Sequence, residues 1–202
     1  DEVIVTNQDH EANIGVWRRL ELAGVRVLEW QIDNESAELR TSDLEALLSS
    51  RTRLVAFTHC SNVIGSVHAV REWCEIVHRA GAIAVVDGVS YAPHGLPDVA
   101  ALGADVYLFS LYKVYGPHLG AMVVRRELAV ALPSQAHFFK SEAIPGRFTP
   151  AGPDHAQVAA VNGVVDYFES VAVHHARNDE KSVAAQAQLA RTLFQHAESA
   201  LL

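Results

Sequence analysis

Cysteine is nearly missing: Cys60 and Cys74 are the only two in 202 residues. Two thiols cannot make the staple framework of a small secreted domain, so the expected setting is a reducing one, the cytoplasm. A cluster of lysine and arginine is also missing, and the formal net charge is −8. That balance argues against nucleic acid or an anionic membrane as partner, and for small-molecule business. No stretch reaches the ~18 uninterrupted apolar residues of a membrane helix, and no basic start followed by an apolar core resembles a signal peptide. The 11 histidines, the His174–His175 pair included, lack clean metal-ligand spacing, so no metal is expected. There is no internal repeat and no low-complexity stretch.

What is present is an alternation. Short apolar runs (3–6, 25–30, 54–59, 83–87, 106–110 and 121–125) read as strands. Between them, "NIGVWRRLELAG", "TSDLEALLSS" and "AVREWCEIVHRAG" carry apolar residues at helical spacing. Thr41 with Ser42 gives an N-cap signal, and Gly24 and Gly81 stand where helices would end. Near-continuous apolar strands separated by amphipathic helices predict an α/β/α sandwich, its sheet mostly parallel and covered on both faces. Only about ten loop residues separate the last two strands, which points to one antiparallel strand. From Pro153 the pattern is helical to the end, broken around "VHHARND". Half the residues are hydrophobic, enough for a single domain over 1–202. The chain opens on a strand and ends in a helical stretch without a closing element, and so reads as a segment of something longer.

In such sheets ligands bind beyond the carboxyl ends of the strands. His10 and Asn13 follow the first strand, Asn62 the third, Asp87 and Ser90 the fourth, and Ser110, Tyr112 and Lys113 the fifth. The lysine in "LFSLYKVYGPHLGAMVV" breaks an apolar run, where a desolvated ammonium would be costly; either it reaches water or its amine is used. A lysine on a covered rim can act as an amine nucleophile or Schiff-base partner. An aspartate ending an apolar strand packs poorly but holds a cation well. A histidine ring can stack on a flat heteroaromatic, and hydroxyls beside loop amides can hold a phosphate. Pyridoxal 5'-phosphate, with its aldehyde, protonatable ring nitrogen and phosphate, would use all of these. Each residue also has a plain structural reading: Asp87 as a helix cap, Lys113 and His10 as solvent-facing loop residues, Asn62 as a turn residue before Gly65, Ser110 as a strand-end hydrogen-bonder. Cys60 and Cys74 read as packing residues.

"DHEAN…W", "TRLVAFTHCSNVIGSVHAV", "GAIAVVDGVSYAPHG", "DVAALGADVYLFS" and "SLYKVYGPHLGAMVV" resemble the class V aminotransferases, and within them the cysteine desulfurase-like branch. The resemblance runs to about Arg125, then more thinly through "RFTPAGPDH". It implies the large domain of a pyridoxal-phosphate-dependent transferase or lyase acting on an amino acid, as a homodimer. It also implies roles: Lys113 as the Schiff-base lysine and proton shuttle at the substrate Cα, and Asp87 as the acid that keeps the pyridine nitrogen protonated. His10 would be the ring that stacks on the cofactor and Asn62 the side chain near its phenolic oxygen, with Ser110 and Tyr112 among the phosphate ligands. Ser90 stands where desulfurases usually have glutamine, and Tyr112 where they usually have histidine. "AGPD" around Gly152 is a loose version of the family's "GTPN" loop. The family's glycine–threonine phosphate loop would precede Asp1. Its substrate-carboxylate arginine and the desulfurase cysteine would follow Leu202, in a small C-terminal domain. Two other readings stand beside this one: a non-catalytic relative serving as a binding or assembly module, and a metal-dependent hydrolase built on Asp87, Asp105, His94 and His118.

Overall fold

The computed structural model describes residues 1–140, 144–149, 151–176 and 182–200. Six strands, β1 (Glu2–Thr6), β2 (Arg26–Trp30), β3 (Thr52–Thr58), β4 (Ile83–Asp87), β5 (Val106–Ser110) and β6 (Gly120–Val124), form one sheet in the order β2-β1-β3-β4-β5-β6. β1 pairs with β2 and with β3, β3 with β4, and β4 with β5, all in parallel. The β6 edge runs the other way. Leu111 N–H donates to the Leu119 carbonyl and Arg125 N–H to the Asp105 carbonyl, both at 2.8 Å, so one step up β5 is one step down β6. The expected mostly parallel sheet with one antiparallel pair is what forms.

Strand alternation sends side chains to two covered faces. On one, Ile4, Val55, Phe57, Ala84 and Val86 pack with Trp30, Leu44, Val70, Trp73 and Val77, which come in part from α2 (Thr41–Leu47) and α3 (Val70–Arg79). On the other, Val3, Val5, Ala56 and Val85 pack with Ile14 and Trp17 of α1 (Glu11–Arg18). Both faces are apolar because each parallel crossover lays a helix over the sheet. Trp30 and Trp73 meet edge to face at 4.5 Å, and their indole N–H groups donate to the Arg40 carbonyl and to Thr41 Oγ1, each at 3.0 Å. Thr41 is therefore not the cap of α2: Arg40 holds that position without a side-chain bond, and the threonine hydroxyl serves a buried tryptophan instead. The first helix also differs from the sequence pattern. It starts at Glu11, capped by His10, and gives way to a 3-10 turn (Arg19–Ala23) that ends on Gly24 in the left-handed region.

Two compact units compose the chain: Asp1–Tyr91 with Pro97–Phe109 and Met122–Arg125, and Ala92–Leu96 with Ser110–Ala121 and Arg126–Leu202. The first holds both core faces. Its Asp105 is buried at the base of β5, where it accepts from His78 Nε2 (2.8 Å) and the Ala84 amide (2.8 Å) and pairs with Arg125 Nη1 (3.0 Å). In the second unit α7 (His155–His175) packs on α8 (Val183–Ser199), with Tyr115, Tyr167, Phe168 and Phe194 as an aromatic cluster. The helical break in "VHHARND" falls largely on 177–181, outside the described residues. Among the described residues no helix is long and apolar enough to cross a membrane.

Candidate functional site

β2 and β3 lie on opposite sides of β1, so the strand order reverses there, and in open α/β sheets ligands bind beyond the carboxyl ends of the strands at such a point. The first unit places four of the expected residues beyond or at the strand ends: His10, Asn62 and Ser90 on the segments leaving β1, β3 and β4, and Asp87 as the last residue of β4.

After β1, Asp9 is the organising residue. One carboxylate oxygen accepts from the His10 amide at 2.7 Å, and the other from Asn13 Nδ2 at 2.5 Å. His10 caps α1: its Nδ1 accepts from the Ala12 amide at 3.0 Å, which leaves the ring proton on Nε2 and fixes the exposed ring at the loop surface. Burial pushes the Asp9 carboxyl up to about 7, and the charge of nearby Asp87 adds to the shift. Sequence reading passed over Asp9, although an acid four residues before Asn13 was there to be seen.

After β3 the chain folds back on itself. Buried Ser61 accepts from the amides of Val63 and Ile64 at 3.3 Å, and Gly65, at φ +74°, donates to the Ser61 carbonyl at 3.0 Å. The loop's bonds thus close around Ser61, and Asn62 is left exposed at its tip.

Asp87 ends β4 and is 8% exposed. The Val89 amide donates to its Oδ1 at 2.8 Å, an Asx turn. Its main-chain carbonyl accepts from the His59 amide at 2.8 Å and from Thr58 Oγ1 at 3.3 Å. The next amide, that of Gly88, donates to the Leu108 carbonyl of β5 at 2.7 Å. β3 on one side and β5 on the other therefore hold the backbone that carries the carboxylate. Ser90, half-buried, sits in the turn that the Tyr91 amide closes onto the Gly88 carbonyl at 3.1 Å.

Two buried aromatic groups that the sequence reading did not single out complete this surround. His59 stacks on Tyr91 with centroids 3.5 Å apart, and its Nδ1 is hydrogen-bonded to the Tyr107 hydroxyl at 2.8 Å. Burial first, then the neighbouring His68, brings His59 down to about 4, so the ring is neutral near pH 7. Burial likewise brings His68, stacked on Trp73, down to about 4. The Tyr107 phenol is pushed up, by burial first and then by Tyr91 and Asp87, and keeps its proton.

The second unit carries Ser110, Tyr112 and Lys113. Ser110 is the last residue of β5, and Leu111–Val114 form a 3-10 turn that presents Tyr112 and Lys113 to solvent. Tyr112 stacks on His118 with centroids 4.7 Å apart. The turn ends on Tyr115 at φ +65°, a conformation a bulky side chain adopts only when its surroundings impose it. Here the Tyr115 ring lies among Tyr167, Phe168 and Phe194, and the next amide, that of Gly116, donates to the Leu111 carbonyl at 2.8 Å. Of the residues in the metal reading, Asp105 is engaged by His78 and Arg125, and His118 is stacked on Tyr112. Among the described residues no group of three or more His, Cys, Asp and Glu is placed to hold a metal ion.

The class-V aminotransferase family model matches residues 1–196. An aminotransferase-like protein from Gibberella zeae is 42% identical over 145 residues, covering 70% of this chain and 36% of that protein. A cysteine desulfurase from Cronobacter sakazakii is 32% identical over 201 residues, covering 92% of this chain and 49% of that protein. The crystal structure of the cysteine desulfurase CsdA from Escherichia coli superposes with a TM-score of 0.77 at 25% identity, covering 86% of this chain and 49% of that one. The chain thus spans about half the length of these cysteine desulfurases.

Proposed function

This chain belongs to the class-V aminotransferase family, which is pyridoxal-phosphate dependent, and from that membership we propose that it is the cofactor-binding part of an enzyme acting on an amino acid, of the cysteine desulfurase-like kind. The observation that carries the reading is the Asp87 carboxylate, buried at a strand end and backed by a second acid, Asp9, whose ionisation is suppressed beside it. A carboxylate at a buried strand end, flanked by an acid that keeps its own proton, is a suitable acceptor for the N–H of a protonated pyridine nitrogen. The donor set therefore fits the cofactor.

When bound, pyridoxal phosphate supplies an electron-withdrawing ring that takes up charge developing at the substrate Cα. In the first unit, Asp87 would hold the proton on the ring nitrogen, His10 would stack on the ring, Asn62 would orient the phenolic oxygen, and Ser90 would bind at the cofactor's edge. In the second unit, Ser110 and Tyr112 would bind the phosphate. Lys113 Nζ would anchor the cofactor covalently and, once displaced by the substrate amine, move the proton at Cα. Residence in the cytoplasm is the reading that two free thiols support. Assembly as a homodimer rests on the family resemblance, and light scattering on the full-length protein tests it.

Borohydride reduction of the full-length protein loaded with pyridoxal phosphate, followed by peptide mapping, tests the assignment. Within this chain the alternatives to Lys113 are Lys140 and Lys181. Label on Lys113, lost in Lys113→Ala, is the expected result. Label on another lysine, or none, overturns it. An amino-acid screen for released sulfide, pyruvate or keto acid then identifies the reaction.

A further inference from the structure

Resting on that reading of Asp87, we propose that His59 and Tyr107 form a positioning pair, which holds the Asp87 carboxylate in the place where it engages the ring nitrogen. The basis is a closed circuit of contacts in the first unit. β4 lies between β3 and β5, so His59, just past the end of β3, and Tyr107, within β5, can meet only across the end of β4. They meet at the β4–Gly88 junction: the Tyr107 ring lies where a Gly88 side chain would be, and its hydroxyl reaches His59 Nδ1 at 2.8 Å. From His59 the circuit returns to the same segment twice. Its amide holds the Asp87 carbonyl at 2.8 Å, and its ring stacks on Tyr91, whose own amide is bonded to the Gly88 carbonyl.

Of the Asp87–Gly88 peptide, the carbonyl is held by the His59 amide, and the Gly88 amide by the carbonyl of Leu108, the residue that follows Tyr107 in β5. Both partners are essentially dry: Tyr107 is fully buried and His59 is 4% exposed. A hydrogen bond there is not exchanged for water, and loss of one partner leaves the other unsatisfied. The neutral phenol also places no second negative charge next to Asp87. Sequence packing alone does not ask for this arrangement, since a leucine at 107 and a valine at 59 would fill a core as well. Neither side chain is assigned contact with substrate or cofactor. Their effect passes through Asp87.

The test is the protonation of the ring nitrogen itself, read from the 15N chemical shift of ring-labelled pyridoxal phosphate bound to the full-length protein across a pH series. Asp87→Asn is expected to lower the pH at which the nitrogen loses its proton. Tyr107→Phe, which keeps the ring over Gly88, and His59→Leu are each expected to lower it by about one unit, a tenfold loss of proton affinity. His59→Asn, whose amide can stand in for Nδ1, should restore most of it. Tyr107→Phe should add nothing in the Asp87→Asn background. A purely structural role would move the melting temperature and leave this titration untouched. A wild-type titration in Tyr107→Phe, with Asp87→Asn shifted, overturns the positioning pair alone. A wild-type titration in Asp87→Asn overturns the functional reading of Asp87 and the pair with it.

Discussion

Tyr107 lies so close against Gly88 that a methyl group on the glycine would overlap Cε1, Cζ and the hydroxyl oxygen of the tyrosine. The glycine that follows Asp87 is therefore required by its neighbour across the strand rather than by its own backbone angle. Gly88→Ala should destabilise the full-length protein by about 1–3 kcal/mol, the range of an overpacked core, as measured by urea unfolding. Pairing it with Tyr107→Ala should cost less than the sum of the two single changes, because the second removes the overlap that the first creates.

Asp9 sets a pH dependence with a definite sign. Its carboxyl sits at about 7 in the folded chain against an ordinary 3.8, so folding favours the protonated form. The stability this gives is complete below the ordinary value and is lost as pH rises through about 7. His59 and His68 act the other way: both fall to about 4 from 6.5, so their contribution is present above 6.5 and lost as pH falls toward 4. Asp9→Asn removes only the first effect. The melting temperature of the variant minus that of the wild type should therefore climb between pH 4 and pH 8, and a flat difference would refute the protonated acid.

Asp87→Asn in the full-length protein should lower turnover by about 10²–10³-fold, the scale on which removal of one preorganised electrostatic partner acts. Cofactor should remain bound, since this substitution leaves the groups proposed to hold the phosphate and aldehyde ends intact. Steady-state rates and cofactor content, measured on the same preparation, check both halves.

Gly116 is the corresponding tight point beside Lys113. A Cβ there would lie 2.9 Å from Val164 Cγ2 and 3.0 Å from the Leu111 carbonyl oxygen. Gly116→Ala should force the 3-10 turn that bears Lys113 to shift, slowing borohydride-trappable attachment of pyridoxal phosphate while other lysines gain no label. Stopped-flow attachment kinetics with peptide mapping read this out.

The frame was legible in the sequence because its strands are short, nearly continuous apolar runs: the expected 83–87 and 106–110 are β4 and β5 residue for residue, and 3–6 lies within β1. The antiparallel edge followed from a connection too short for a crossover. What stayed hidden depends on pairs that are distant in the chain. Thr41 looked like a cap, but its hydroxyl is claimed by Trp73 from another helix. Tyr107 sits in a strand pattern where an aromatic needs no further explanation, and His59 sits beside a more conspicuous Asn62. Only the strand order, with β4 in the middle, makes these two partners. Asp9 escaped because a loop acid shows no periodicity, and its burial is a product of the folded rim.

The bond between His59 and Tyr107 spans 48 residues. During synthesis β3 and β4 leave the ribosome first, so the acid-bearing strand end exists for a time with one flank only. Its second brace arrives when β5 docks, after the intervening loop has been closed at an entropic cost. The seat of the acid is thus complete only once β5 has paired with β4, and it draws on three strands rather than on the one that bears it.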